Sequence, residues 1–287
     1  MNIQTIISST LSDLFPDRSD WKSTFNQYVM LCHPDKNNSD EAKTAYQILM
    51  SYKDILENGI KFSDEISEIT FKDNVLTFVG DRDKLKLSYD NYNSILNSPN
   101  VPDHFHKYLP ERMELGDGQL KVYLRERAIL LHDLTLEEKH VKWALNRLLE
   151  FSSMTNLIAN WCHVGLNPNS VMICPESHGI QIISFYHSRP INSKLTSAIG
   201  IHPYKSWYPS DMFAHKTASF DIDLLMAKRT AMYLLGDKTG FGTTLRGKIS
   251  DDFLSFLMSF ENDIRDGYLQ YQEFLNKSPR EFHILNL

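Results

Sequence analysis

Cysteine is scarce in this sequence. The 287 residues include three cysteines, Cys32, Cys162 and Cys174. Three thiols cannot all pair within one chain, and a chain of this length buries enough apolar surface to fold without disulfides. We therefore expect free thiols and, with them, a reducing compartment.

An excess of basic residues and long apolar runs are also absent. Lysine and arginine number 30 against 36 aspartate and glutamate residues, so the formal net charge is -6. Broad nucleic-acid binding needs a basic face, and a membrane helix needs a run of ~20 apolar residues. Met1–Phe15 has neither the basic leader nor the apolar core of a signal peptide. We expect a cytoplasmic protein that has neither nucleic acid nor membrane as a partner.

The first 60 residues are predicted to be helical. Apolar residues recur there at helical spacing in three stripes. Proline and asparagines in His33–Asn38 predict a loop between the second and third stripes. Ser39 or Asp40 is placed to cap the third helix, and Asn-Gly at 58–59 to end it. The stripes are Ile6, Ile7, Thr10, Leu11 and Leu14; Trp21, Phe25, Tyr28, Val29 and Cys32; and Ala42, Ala45, Ile48, Leu49, Tyr52, Ile55 and Leu56.

The rest of the chain mixes strand and helix patterns. Apolar residues alternate over 66–87, which predicts strands, one of them carrying Lys84 or Lys86. Long apolar faces predict helices at 136–161, 220–235 and 253–274, with short strands at 171–173 and 180–183. The predicted fold class is α+β, mostly α, with a helical domain at 1–60 and a second domain at 61–287.

A tripeptide in the N-terminal loop carries the first family resemblance. His33-Pro34-Asp35, followed by Lys36, lies between two predicted amphipathic helices, and this arrangement resembles the J domain of DnaJ-type co-chaperones. The resemblance implies that these four residues bind a DnaK-type, ATP-driven chaperone and trigger its ATP hydrolysis. Pro34 restricts the backbone, and Asp35 offers a carboxylate that a partner arginine can bind with two hydrogen bonds. An ordinary solvated turn is the alternative.

The helix before this loop departs from the J-domain pattern. The family has a basic face there, but Lys22 is the single cation between Asp20 and Leu31. Rim charges mainly set association rate and partner choice. The departure predicts a specialised chaperone partner or a J-like module that no longer stimulates ATP hydrolysis.

The second resemblance is to the large lobe of protein kinases. His163, Leu166 and Pro168 match the family pattern H-x-D-L-x-P-x-N, and Phe185 matches the centre of D-F-G. In the family, an aspartate that begins a later helix anchors the catalytic loop, and Asp221 is assigned to that position. The resemblance implies a bilobal domain, with a small β-containing lobe at 61–133 and a helical large lobe at 134–287. An unrelated helical domain is the alternative.

The positions that perform phosphoryl transfer have lost their side-chain chemistry. Gly165 occupies the position of the family's catalytic aspartate, Ser170 that of its metal-binding asparagine and Ser184 that of its metal-binding aspartate. Transfer of a phosphoryl group needs such carboxylates to orient the nucleophile and to hold Mg²⁺. No G-x-G-x-x-G precedes the long helix. The resemblance therefore implies a pseudokinase without catalytic residues, cofactor or metal.

These features together predict a non-catalytic J-domain co-chaperone or adaptor. The kinase-like domain would bind an unidentified client or partner protein, and the His-Pro-Asp loop would recruit the chaperone. One alternative is an atypical kinase or AMP-transferring enzyme that uses Asp211, Asp221 or Asp223. Another is a structural or assembly protein that uses the J-like helices for protein contacts alone.

Zinc is a less favoured possibility. Cys162, His163, Cys174 and His178 are residue types that zinc prefers. The neighbours Cys162 and His163 point in different directions, so four of these ligands would need an awkward backbone. We expect buried cysteines and structural histidines instead.

Overall fold

The computed structural model describes residues 2–16, 20–132, 134–259, 263–277 and 285. The chain forms two compact units, one of residues 1–62 with 70–73 and the other of residues 63–69 with 74–287. Within the described ranges, no helix combines the length and the hydropathy that a membrane crossing requires.

The first unit is built from helices around a small core. The predicted first stripe is divided into two helices because Thr10 adopts an extended backbone and caps the second one, in a capping box with Asp13. Ile6, Phe25 and Leu49 are buried in the core that these helices share. Its elements are α1 (Ile3–Ser8), α2 (Leu11–Leu14), α3 (Trp21–Cys32) and α4 (Asp40–Asn58), followed by β1 (Ile60–Ser63).

The ends of α4 follow the local sequence. Ser39 caps its first turn, because its Oγ accepts a hydrogen bond from the N–H of Ala42 at 3.2 Å. Gly59 ends the helix with φ of +80°, and a Cβ on this glycine would lie 2.7 Å from the carbonyl oxygen of Phe71. A residue without a side chain is therefore required at Gly59. The prediction of both helix ends is confirmed.

The second unit begins with a sheet and one helix. Strand β2 (Ser67–Lys72) crosses the boundary between the two units, and its residues 67–69 belong to the second. Strand β3 (Val75–Gly80) is followed by α5 (Arg82–Leu96), and then by β4 (Arg112–Gly116) and β5 (Gln119–Tyr123). The order β3-β5-β4 places β5 between two antiparallel neighbours. Leu76 and Phe78 of β3 and Leu120 and Val122 of β5 face the core at alternate positions.

The strand predicted around Lys84 and Lys86 is wrong, since both lysines lie on helix α5. Asp81 caps α5 by accepting hydrogen bonds from the N–H groups of residues 83 and 84. The buried residues Leu85, Ser88, Tyr92 and Ile95 recur at helical spacing over the full 15 residues. Within Leu85–Leu87 alone, apolar and charged residues alternate as in a strand, and this short segment gave a wrong prediction. Strand β3 itself contains no lysine. Residues 97–118, expected to be mostly loop, contain a 3-10 helix (Asp103–Tyr108) and β4.

The larger part of the second unit is mainly helical. Helices α6 and α8 pack together, and α10 packs against both. Strands β8 and β9 form a hairpin to which β6 adds, while β7 pairs with β10. The elements are β6 (Ile129–Leu130), α6 (Glu138–Leu157), β7 (Trp161–Cys162), β8 (Val171–Cys174), β9 (Gly179–Ile182), β10 (Arg189–Pro190), a 3-10 helix (Tyr204–Trp207), α7 (Met212–His215), α8 (Phe220–Leu234), α9 (Asp251–Met258) and α10 (Ile264–Asn276).

Candidate functional site

A buried carboxylate holds the loop that follows β7. Asp223 is 0% exposed. Its Oδ2 accepts hydrogen bonds from the N–H of His163 at 2.7 Å and from Nδ2 of Asn156 at 2.9 Å, and its Oδ1 accepts one from the N–H of Val164 at 2.8 Å. Hydrogen bonds to a charged acceptor are stronger than neutral ones. Asp223 therefore fixes the backbone of this loop from helix α8.

The sequence analysis assigned this anchoring role to Asp221, and the structure corrects it. The Asp221 carboxylate accepts a hydrogen bond from the hydroxyl of Ser219, the residue before α8, and makes a local contact at the helix start. Asp223 lies two residues further along the first turn, where its side chain points into the protein and reaches the loop. Both aspartates lie in the first turn of α8, so the sequence pattern alone does not show which of them contacts the loop.

The anchored loop carries an unusual backbone conformation. Val164 has φ of +63°, a region that β-branched residues rarely adopt. Its N–H is bound by Asp223, and its carbonyl accepts a hydrogen bond from the hydroxyl of Tyr208 at 2.8 Å. The same hydroxyl accepts the N–H of Ile199 at 2.8 Å. Hydrogen bonds to both the N–H and the carbonyl of Val164 thus hold this strained residue in place.

His163 links this loop to the segment after β9. Its Nδ1 accepts the N–H of Gly165 at 3.2 Å, so the other ring nitrogen carries the proton, and this Nε2 donates to the carbonyl of Ser184 at 2.8 Å. The ring is 2% exposed. Burial lowers the pKa of His163 from 6.5 to about 4, against the opposing effect of Asp223. His163 is therefore a neutral structural histidine at pH 7.

Three positions that were predicted to have lost their catalytic side chains lie together in the structure. Gly165, Ser170 and Ser184 line one cleft. A Cβ on Gly165 would lie only 3.0 Å from Cδ2 of His187, so the imidazole occupies the space that a side chain at 165 would need. Ser170 Oγ donates to the carbonyl of Gly165 at 2.8 Å and accepts the N–H of Asn167 at 3.0 Å. Its hydroxyl is thus committed to the loop.

The charged groups of the cleft are carboxylates. None of the lining residues that the structure describes is a lysine or an arginine, whereas Asp64 and Glu65 both belong to the lining. Asp64 accepts hydrogen bonds from the N–H groups of Ile66 and Ser67, and burial raises its pKa in spite of them. Across the described parts of the chain, no group of three His, Cys, Asp or Glu residues is arranged to hold a metal ion.

Glu65 is the central residue of the cleft that the sequence analysis missed. Its Oε1 accepts hydrogen bonds from Nε2 of His187 at 2.6 Å and from the hydroxyl of Tyr186, and its Oε2 accepts the N–H of Gly200 at 2.6 Å. Burial alone would raise the pKa of Glu65, but these hydrogen bonds outweigh it and lower the pKa. The partners lie more than 120 residues away, so no local sequence pattern signals the contact.

Helix α5 is tied to the segment after β9 by two buried polar side chains. Ser88 Oγ accepts the N–H of Phe185 at 3.0 Å, and Asn91 Nδ2 donates to the carbonyls of Phe185 at 2.8 Å and Ser188 at 3.0 Å. The rings of Tyr92 and Phe185 are also in contact, with centroids 5.8 Å apart. These neutral hydrogen bonds fix the position of α5 without an ion pair.

The His-Pro-Asp loop of the first unit forms an ordered turn. The carbonyl of His33 accepts the N–H groups of Lys36 at 2.9 Å and Asn37 at 3.0 Å, and the His33 ring lies edge-on to Tyr46. Nδ1 of His33 accepts the N–H of Asp35 at 3.2 Å. The Asp35 side chain is 87% exposed and that of His33 38% exposed. The turn therefore presents a carboxylate to solvent on a braced backbone.

Two solved structures that are similar to this chain are kinases. The chain is similar to the BubR1 kinase domain, with 12% identity and a TM-score of 0.50 over 77% of this chain and 80% of that one. It also matches the kinase PK-1 of Cydia pomonella granulovirus, with 11% identity and a TM-score of 0.49 over 77% of this chain and 96% of that one. The chain contains a protein-kinase-like fold. No protein-family profile and no curated protein matches the sequence.

We predict that the two neighbouring aspartates of α8 differ strongly in their effect on stability. Asp223→Asn places an amide NH₂ against N–H donors and leaves one of them unpaired, so it lowers the free energy of unfolding by about 3 kcal/mol. Asp221→Asn keeps an oxygen for Ser219 and costs less than ~1 kcal/mol. Urea unfolding of both variants checks this, and equal losses would contradict the assignment of Asp223 as the anchor.

We predict a pH dependence of stability that originates at His163. Its folded pKa of about 4 lies below the unfolded value of 6.5, so unfolding takes up a proton between these values and stability falls as the pH falls. The loss from pH 7 to pH 5 amounts to about 2 kcal/mol. His163→Gln is expected to show a shallower slope over this range in urea unfolding. A slope equal to that of the wild type would rule out His163 as its source.

Proposed function

We propose that this chain is a non-catalytic adaptor, in which a pseudokinase domain binds a partner protein and the His33–Lys36 loop recruits a DnaK-type chaperone. The observation that carries the first half is the state of the cleft, where three positions required for phosphoryl transfer hold glycine and serine. The observation that supports the second half is the braced, exposed turn between α3 and α4.

The chemistry of the cleft argues against phosphoryl transfer. ATP brings several negative charges, which kinases neutralise with Mg²⁺ held by carboxylate and amide oxygens and with a lysine. Here the hydroxyl of Ser170 is hydrogen-bonded within its own loop, and the His187 ring lies close to Gly165. The charges that are present, on Asp64 and Glu65, have the sign that repels phosphate. We infer that the fold is kept for its shape and surface.

The alternative of a rearranged enzyme has little support in these side chains. Such an enzyme would need a free carboxylate near the cleft, and Asp211, Asp221 and Asp223 were the candidates. Asp223 accepts two hydrogen bonds from the loop backbone and one from the side-chain amide of Asn156, and Asp221 accepts one from Ser219. None of the three is among the residues that line the cleft. The two carboxylates that do line it, Asp64 and Glu65, accept hydrogen bonds from donors of the protein itself. These contacts support the scaffold over the enzyme.

The chaperone half of the proposal depends on His33 and Asp35. The ring of His33 accepts the N–H of Asp35, so substitution of His33 removes this contact, whereas the backbone carbonyl at position 33 keeps its hydrogen bonds. The alternative of an assembly protein that uses these helices for other contacts predicts that function survives a change at His33.

We predict that the wild-type chain raises the ATPase rate of a purified DnaK-type chaperone several-fold and that His33→Gln returns it to the basal rate. Glu41→Gln, at an exposed position in the first turn of α4, is the matched control and retains the stimulation. Circular dichroism shows whether both variants are folded. No stimulation by the wild type, or equal stimulation by His33→Gln, would refute chaperone recruitment.

We predict that Mg-ATP leaves the thermal unfolding midpoint unchanged. A ligand at concentration L that binds only the folded state raises the free energy of unfolding by RT ln(1 + L/Kd), about 2.7 kcal/mol at one hundred times its Kd, and the midpoint rises with it. Thermal shift with millimolar Mg-ATP is the measurement, with Mg²⁺ alone as the reference. A rise that grows with the concentration of Mg-ATP would favour an enzyme over the scaffold.

A further inference from the structure

The carboxylate of Glu65 is bound in the way that proteins bind a ligand anion. Three donors converge on its two oxygens, namely Nε2–H of His187, the hydroxyl of Tyr186 and the N–H of Gly200. The His187 side chain is 5% exposed and that of Glu65 19%. A carboxylate with its charge spread over two oxygens matches three neutral donors, because each bond is charge-assisted.

The three donor groups are held in position by contacts that do not involve Glu65. Nδ1 of His187 lies 3.1 Å from Oγ of Ser197, which can donate to it, and this contact directs the ring proton to Nε2. The backbone around Gly200 is held by the neighbouring N–H of Ile199, which donates to Tyr208. Tyr186 packs against His187, with ring centroids 3.8 Å apart. The three donors are therefore positioned to receive an anion even without the glutamate.

We propose that Tyr186, His187 and the N–H of Gly200 form a binding site for a single carboxylate group, which the chain fills with its own Glu65. This inference rests on the proposed function, because it names what occupies this part of the cleft in place of a nucleotide. The contact joins the turn at 64–66 to the segment at 196–201, whose residues Ile199 and Ile201 line the same cleft.

The site is suited to a monoanion and not to a phosphate. It offers three donors and no lysine or arginine among the cleft residues that the structure describes. Asp64, the residue beside Glu65, adds a second carboxyl group to the lining. A dianion would meet this group without a cation to balance it, whereas one carboxylate satisfies the donors that are present.

Replacement of Glu65 by alanine tests the site, because the atoms removed correspond to acetate. We expect Glu65→Ala to lower the unfolding midpoint by about 4 °C or more, since three donors lose their acceptor. Acetate should raise the midpoint of this variant in a concentration-dependent manner, while neutral acetamide should not. The wild type and Glu68→Ala, at an exposed position on β2, should respond to neither compound.

Several outcomes would overturn the proposal. They are an unchanged midpoint for Glu65→Ala, no response to acetate, an equal response to acetamide, and an equal response of the wild type to acetate. If Glu65→Ala does not fold, a double-mutant cycle of Glu65→Gln and Tyr186→Phe replaces it. Coupled effects on the midpoint support the site, and additive effects overturn it.

The same proteins separate this inference from the proposed function. Rescue by acetate reports on the three donors alone. A concentration-dependent Mg-ATP shift in Glu65→Ala, together with rescue by acetate, would refute the pseudokinase proposal and leave the carboxylate site intact. No rescue, together with no Mg-ATP shift, would refute the site and leave the pseudokinase proposal standing.

Discussion

The buried carboxylate of Asp223 is the interaction on which the cleft depends. It accepts the N–H groups of His163 and Val164 and the side-chain amide of Asn156 in a position without solvent exposure. A buried charge is stable in a protein only when its oxygens are well supplied with donors, and here three donors meet that condition. In return, Asp223 holds Val164 at a positive φ, which turns the loop towards the cleft. The same loop carries Gly165 and Ser170, which line the cleft.

The polar groups of the cleft are used within the protein itself. His163 donates to the carbonyl of Ser184, and the hydroxyl of Ser170 donates to the carbonyl of Gly165 in its own loop. The His187 ring lies beside Gly165 and binds Glu65. Ser88 and Asn91 hold helix α5 against the segment after β9. These internal hydrogen bonds hold the cleft in its observed shape.

Part of this arrangement is visible in the sequence because it depends on neighbouring residues. The caps of α4 and the turn at His33–Asp35 follow from local preferences of serine, glycine and proline. Other parts depend on distant contacts. The choice of Asp223 over Asp221 follows from the direction of a side chain on α8 and not from its spacing. The bond between Glu65 and His187 joins residues 122 positions apart. The misreading of α5 had a different cause, since three alternating residues imitate a strand within a longer helical pattern.

The central claim is that the fold has been kept without its chemistry. Its most direct test is the intact mass of the purified protein after long incubation with ATP and either Mg²⁺ or Mn²⁺, alone and with a generic acceptor protein. We expect the mass of both proteins to remain unchanged. A mass gain equal to one phosphoryl or one adenylyl group, on either protein and dependent on the metal ion, would contradict the account.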